Sequence, residues 1–196
     1  MSTYQNVKFV TSAAEVRQFP ADSGREVAFA GRSNAGKSTA INAITQRAGL
    51  ARVSRTPGRT QLINFFEIVS SIRLVDLPGY GFAKVPQSVR ARWLELMQHY
   101  FNERTSLVGL ILIVDSRRGL GEQDVAMLEW ALARGRRAHV LLSKADKLNR
   151  HDSLRVLHAT LAACAQTAVT AQLFSARAKN GIDEARRVMD EWLPAA

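Results

Sequence analysis

Apolar runs and amphipathic stretches alternate along this chain. Val27–Ala30 reads as a buried strand, and a glycine-bounded loop carries it into a helical pattern from about Lys37 to Arg47. Two β-rich stretches, Gln61–Val69 and Ile72–Val75, are joined by Ser70 and Ser71 alone, a connection short enough to predict a hairpin and hence one antiparallel pair. The pattern then repeats: helix Gln87–Asn102, strand Leu107–Val114, helix Glu122–Arg134, strand Ala138–Leu142, helix Asp152–Cys164, strand Val169–Phe174 and helix Gly181–Trp192. Strands alternating with helices imply βαβ crossovers, which place helices on both sides of a parallel sheet. The expected fold is α/β in three layers: a mostly parallel six-stranded sheet with one antiparallel strand and helices on both faces. Residues 1–24 are predicted to form an appended strand and helix packed on the core, with Pro20 and Gly24 marking the join to a main domain over 25–196.

Composition narrows the class. At 196 residues one domain of ordinary size is expected, and a hydrophobic content of 46% excludes wholesale disorder. The longest apolar run of note, Leu107–Val114, is far below the roughly 20 residues a spanning helix needs, so no membrane insertion is expected. Met1–Val10 lacks a basic segment followed by a long apolar core, and the single cysteine, Cys164, reads as a buried helix residue. A cytoplasmic protein in a reducing compartment is expected, and nothing demands more than a monomer. The 27 Lys and Arg outnumber the 17 Asp and Glu, and a net charge of +10 attracts polyanions.

Three short motifs carry the chemistry. Gly31, Arg32, Ser33, Asn34, Ala35, Gly36, Lys37 and Ser38 match G-x-x-x-x-G-K-[ST], between a predicted strand and a predicted helix as that motif requires. Glycines let the backbone wrap phosphates closely, and consecutive amides with the helix amino terminus face them. Lys37 would neutralise the outer phosphates, and Ser38 would give its hydroxyl to Mg²⁺. Asp76, Leu77, Pro78 and Gly79 match D-x-x-G at the end of the next predicted parallel strand, where the carboxylate can orient metal-bound water and the glycine amide can sense a γ-phosphate. Ser143, Lys144, Ala145 and Asp146 resemble the [NT]-K-x-D guanine motif: a carboxylate accepts two hydrogen bonds from guanine N1 and its exocyclic amine, a donor pair adenine lacks. Ser143 departs from the usual Asn or Thr, so weaker affinity with retained guanine preference is expected. Ser175 and Ala176, after the last predicted strand, are where a backbone amide would meet guanine O6.

Together with Thr56–Phe65 and Asp76–Ala83, these residues closely resemble the EngB (YihA/YsxC-type) family of bacterial ribosome-assembly proteins, within the TRAFAC class of phosphate-loop GTPases. The resemblance spans nearly the whole chain, with residues 25–196 as its G domain. It implies that Gly31 to Ser38 bind phosphates, that Ser38 and Thr60 ligate Mg²⁺, and that Gly58, Arg59, Thr60, Gln61 and Leu62 belong to the first switch. Asp76 to Gly79 would form the second switch, Ser143 to Asp146 would read guanine, and Ser175, Ala176 and Arg177 would close over the base. Lys37, Thr60 and Gly79 would be the catalytic residues for GTP hydrolysis to GDP and phosphate. The family also implies a role in maturing the large ribosomal subunit and a link to cell division and septation. Phe82 stands where an aromatic hydroxyl is common.

Tyr80 follows Gly79 where many GTPases place a water-orienting glutamine, so slow intrinsic hydrolysis is expected whether Tyr80 is a switch residue or only a packing aromatic. The position of Asn34 is similar to that in cation-dependent relatives, where the Asn side chain helps hold K⁺ beside the phosphates, which makes K⁺ a candidate activator. Residues 27–66 contain no acidic side chain but include Arg47, Arg52, Arg55 and Arg59, more positive charge than a phosphate site needs, which predicts an RNA-facing surface. Arg117–Arg118 and Arg134–Arg137 either extend it or are solvated faces. A GTP-driven switch acting on the large ribosomal subunit or its precursor is the leading reading. A nucleotide-dependent RNA-binding scaffold is the alternative, and a small-molecule kinase leaves the last two motifs without a role.

Overall fold

The computed structural model describes residues 3–51, 62–81 and 87–193. Seven strands form one sheet: β1 (Lys8–Ala13), β2 (Arg25–Gly31), β3 (Ile63–Val69), β4 (Ile72–Asp76), β5 (Leu107–Asp115), β6 (Arg137–Ser143) and β7 (Thr170–Leu173), in the order β1-β3-β4-β2-β5-β6-β7. Pairings from β4 through β2, β5 and β6 to β7 are parallel, and β3 alone runs against its neighbours, pairing antiparallel with both β4 and β1. The predicted hairpin is there: Ser71 turns it in the left-handed region at φ 62°. The expected six strands become seven because the residues before Gly24 join the sheet at its edge and do not merely lie on it. The described residues of this segment hold no α-helix, contrary to the prediction: Thr3–Asn6 and Val16–Gln18 are single 3₁₀ turns, too short to satisfy an α-helical ladder.

Among the described residues five α-helices cover the two faces: α1 (Lys37–Thr45), α2 (Gln87–Glu103), α3 (Glu122–Leu132), α4 (Arg150–Ala163) and α5 (Ile182–Trp192). Alternation along the strands decides which side chain meets which layer. On β5, Leu110, Leu112 and Val114 pack with Met97 and Phe101 of α2 and Met127 and Leu128 of α3, whereas Ile111 and Ile113 pack with Ile41 and Ile44 of α1 and Met189 of α5. β5 is buried on both faces, which is why it reads as a continuous apolar run. Gly109 on this strand lies under the Trp192 indole, and a Cβ there would fall 2.3 Å from a ring carbon.

Candidate functional site

The parallel strands bring the loops after β2, β4, β6 and β7 to one edge of the sheet, the crevice where open α/β sheets place their ligands. The loop Gly31–Ser38 runs from β2 into α1. Gly36 caps the helix at φ 103°, a left-handed conformation that strains any side chain, and Asn34 is also left-handed at φ 63°. Such a turn points successive amides and the helix amino terminus into one concavity, a cradle for phosphate oxygens.

Asp76 ends β4 beside this cradle. Its carboxylate pairs with the Lys37 ammonium and accepts from Asn64 Nδ2 at 3.4 Å, and Asn64 Oδ1 accepts in turn from Ser12 Oγ at 2.6 Å. Residues 77–80 then cross the phosphate loop: Leu77 N donates to Phe29 O at 3.0 Å, and Ser33 N donates to Tyr80 O at 2.8 Å. The Tyr80 ring is 6% exposed, and its hydroxyl donates to Asp124 Oδ1 at 2.5 Å. Burial, reinforced by the Asp124 charge, pushes that phenol far above its ordinary range. Tyr80 is therefore a packing residue tied to α3, and its hydroxyl is not aimed at the phosphate cradle.

The third loop is bonded to the first. Ser143 Oγ donates to Ala35 O, and Lys144, left-handed at φ 58°, donates from Nζ to Asn34 O at 2.6 Å. The same ammonium pairs at 2.9 Å with Asp115, whose carboxylate also takes a bidentate Arg117 at 2.9 and 2.7 Å. The Arg117 hydrogen bonds, with those of Lys144, hold the Asp115 carboxyl well below the usual carboxylate range. Asp146 accepts from Ser175 Oγ at 2.6 Å, and that hydroxyl chiefly lowers its pKa and keeps the carboxylate charged. Ser175 Oγ accepts from Ala178 N at 3.0 Å, and the Ser175–Asn180 backbone pair closes this loop. Between the loops lies a cleft of about 150 Å³ lined by Gly36, Thr39, Lys144, Asp146, Phe174, Ala176 and Arg177, among others.

The structure thus brings together Gly31 to Ser38, Asp76 to Gly79, Ser143 to Asp146 and Ser175 to Arg177. Leu62 is half-buried just before β3, and Gly58, Arg59, Thr60 and Gln61 lie outside the described residues, as do Arg52, Arg55 and Phe82. Sequence reasoning missed Asp115, Asn64, Thr39 and Phe174. An aspartate closing an apolar strand was the available signal for Asp115. The others are marked only by proximity.

A family model described as 50S ribosome-binding GTPase matches residues 26–144. The probable GTP-binding protein EngB of Neisseria meningitidis serogroup B (strain ATCC BAA-335 / MC58) is 47% identical over 200 residues, covering 100% of this chain and 95% of that protein. That of Coxiella burnetii (strain CbuG_Q212) is 48% identical over 96% of this chain and 93% of its own length. The crystal structure of a probable GTP-binding protein engB shares the fold, with a TM-score of 0.66 at 24% identity over 86% of this chain and 98% of that one. With the four loops meeting at one crevice and near-half identity over its whole length, this chain belongs to the EngB family of GTP-binding proteins, phosphate-loop GTPases that act as nucleotide switches.

Proposed function

We propose that this GTPase times a step in assembly of the large ribosomal subunit, and that its link to cell division and septation follows from that role. The bonding of Ser143 and Lys144 to the carbonyls of Ala35 and Asn34 carries the guanine-nucleotide half of this reading, since one ligand spanning the two loops would touch both a base reader and a phosphate cradle. The description of the matched family, with its ribosome-binding GTPase, and the acid-free basic stretch over 27–66 support the ribosomal half.

Within the site, Asp146 accepts from guanine, the amides of residues 33–38 hold phosphate oxygens, and Lys37 leaves Asp76 for the outer phosphates. Lys37 brings Asp76 to the start of α1, where Ser38 is the second residue, so oxygen donors of the kind Mg²⁺ prefers flank the phosphate position. Among the described residues no cluster of three His, Cys, Asp or Glu side chains competes with that arrangement. Ser38, Thr60 and phosphate oxygens would hold the Mg²⁺, which when bound offsets charge on the phosphates. Hydrolysis is slow because Tyr80, tied to Asp124, supplies no carboxamide to align water. Asn34 is exposed at its left-handed turn, within reach of a K⁺ ion beside the phosphates, and equal GTP turnover in K⁺ and Na⁺ would sink that part. Among the described residues no helix is long and apolar enough to cross a membrane, in keeping with a cytoplasmic site of action.

The test is sedimentation of cell extract through a sucrose gradient with GDP, GTP or a non-hydrolysable analogue. The protein is expected with large-subunit particles in the GTP-like state only. Absence from every ribosomal fraction in all three states would remove the assembly role and leave the GTPase assignment standing.

A further inference from the structure

A second concavity lies on the far side of the guanine loop from the phosphate cradle. It is an open groove of about 510 Å³ between the segment after β5 and the side of α4. Arg117 and Arg118 line one wall and Arg155 the other, over a floor that includes Leu120 and Val156. Among the described residues Asp152 is the only carboxylate lining the groove, and both its oxygens are engaged, one by Arg155 at 3.0 Å and the other by Asn149 at 2.8 Å. Ser116 also lines the groove. It is 2% exposed, so it closes the groove beside β5 through its backbone, not through its hydroxyl.

Arg155 offsets Asp152, which leaves Arg117 and Arg118 as the positive excess of the groove, a charge that suits a chain of phosphates. Among the described residues no aromatic ring lines the groove for a base to stack on, so recognition would run through the backbone of the polyanion and tolerate sequence. The groove is also wired to the nucleotide site. Ser116 N donates to Ser143 O at 2.9 Å, and the Asp115 carboxylate is shared between Arg117 at the groove and Lys144 at the guanine loop. Lys144 in turn holds the Asn34 carbonyl of the phosphate loop.

The geometry points to this groove as an RNA-phosphate site whose occupancy tightens guanine-nucleotide binding. This rests on the ribosomal reading above and adds a contact surface to it, distinct from the basic first-switch region. A phosphate that draws Arg117 off Asp115 leaves that carboxylate to Lys144 alone, which fixes the guanine loop against the phosphate loop. Linkage makes the effect reciprocal: bound GTP raises RNA affinity by the same factor.

The test uses the full chain with deproteinised large-subunit ribosomal RNA in filter binding and with a fluorescent non-hydrolysable GTP analogue. Arg118→Glu with Arg155→Glu is expected to weaken RNA binding about tenfold or more and to flatten its salt dependence, because lost phosphate contacts release fewer counterions. Nucleotide affinity without RNA and the melting temperature, unchanged in that variant, establish that it folds. Saturating RNA is expected to tighten the GTP analogue several-fold in the natural sequence and not in Arg117→Ala. Natural RNA affinity in the Arg118/Arg155 variant, with loss in Arg52→Glu plus Arg55→Glu, would overturn the groove and spare the ribosomal reading. No RNA binding by the natural chain would overturn both. Displacement by polyaspartate, with RNA unable to compete, would assign the groove to an acidic protein segment and overturn the RNA site.

Discussion

Ser143 ties two loops together at the scale of one residue. Its hydroxyl bonds the guanine loop to the Ala35 carbonyl while itself only 3% exposed. Ser143→Ala leaves that carbonyl without its donor, at a cost of about 1–2 kcal/mol. Affinity for a fluorescent GDP analogue is therefore expected to fall on the order of tenfold in an equilibrium titration, and the melting temperature to drop by a few degrees. Tyr80 makes the opposite case. Its hydroxyl bonds Asp124, which keeps a second bond from Gly121 N at 2.9 Å, so Tyr80→Phe is expected to cost about 1 kcal/mol in urea unfolding. Phosphate release should stay within a few-fold of the natural rate. A collapse of turnover would show the hydroxyl acting on the reaction after all.

Between elements, contacts depend on what a strand leaves out as much as on what it presents. Gly109 admits the Trp192 ring of α5 against β5, and Ala there must push the indole aside, since its Cβ would lie 2.3 and 2.6 Å from ring carbons. Gly109→Ala is expected to lower stability by about 1–3 kcal/mol, read as a drop in melting temperature. On the next strand, His139 is buried between Thr170 and Gln172 of β7. Nε2 donates to Gln172 Oε1 at 3.0 Å and Nδ1 accepts from Thr170 Oγ1 at 2.6 Å, the pattern of a neutral ring. Burial lowers its pKa. The unfolded chain therefore takes up this proton first, and stability falls as pH drops through about 6.5, the ordinary histidine value. Urea midpoints at about pH 7 and about pH 5 should differ in the natural chain, and less so in His139→Gln.

Over the whole molecule, one buried charge cluster ties together parts that the sequence keeps far apart. Glu26 of β2 is fully buried and pairs with Arg73 of β4 at 3.1 Å and with Arg104, just beyond α2, at 2.7 Å. Tyr100 of α2 also donates to it at 3.3 Å, and Arg104 reaches the carbonyl of Pro20 at 2.9 Å. The amino-terminal segment, the sheet and the helix after the second switch meet there, at the end of β2 away from the nucleotide cleft. Glu26→Ala strands two buried guanidinium groups, so a loss of about 3–5 kcal/mol is expected, a large part of an ordinary domain's stability. Chemical denaturation measures it. Unchanged stability would mean that both arginines find water when the carboxylate goes.

The order of strands and helices, the parallel sheet, the antiparallel hairpin and the three nucleotide loops follow from local pattern alone. Hydrophobic period, turn residues and motif spacing are properties of neighbouring residues, and each is physically sufficient to fix a strand, a turn or a phosphate loop. The amino-terminal segment was legible only as an appendage, because an edge strand draws its hydrogen bonds from residues more than fifty positions away, as Ser12 does opposite Asn64. Asp115 and Tyr80 are single residues whose neighbours are supplied by other strands and helices, and Glu26 gains its partners in the same way. Only the tertiary structure decides such contacts, because a charge or a hydroxyl acquires its role from what folding places within about 3 Å of it.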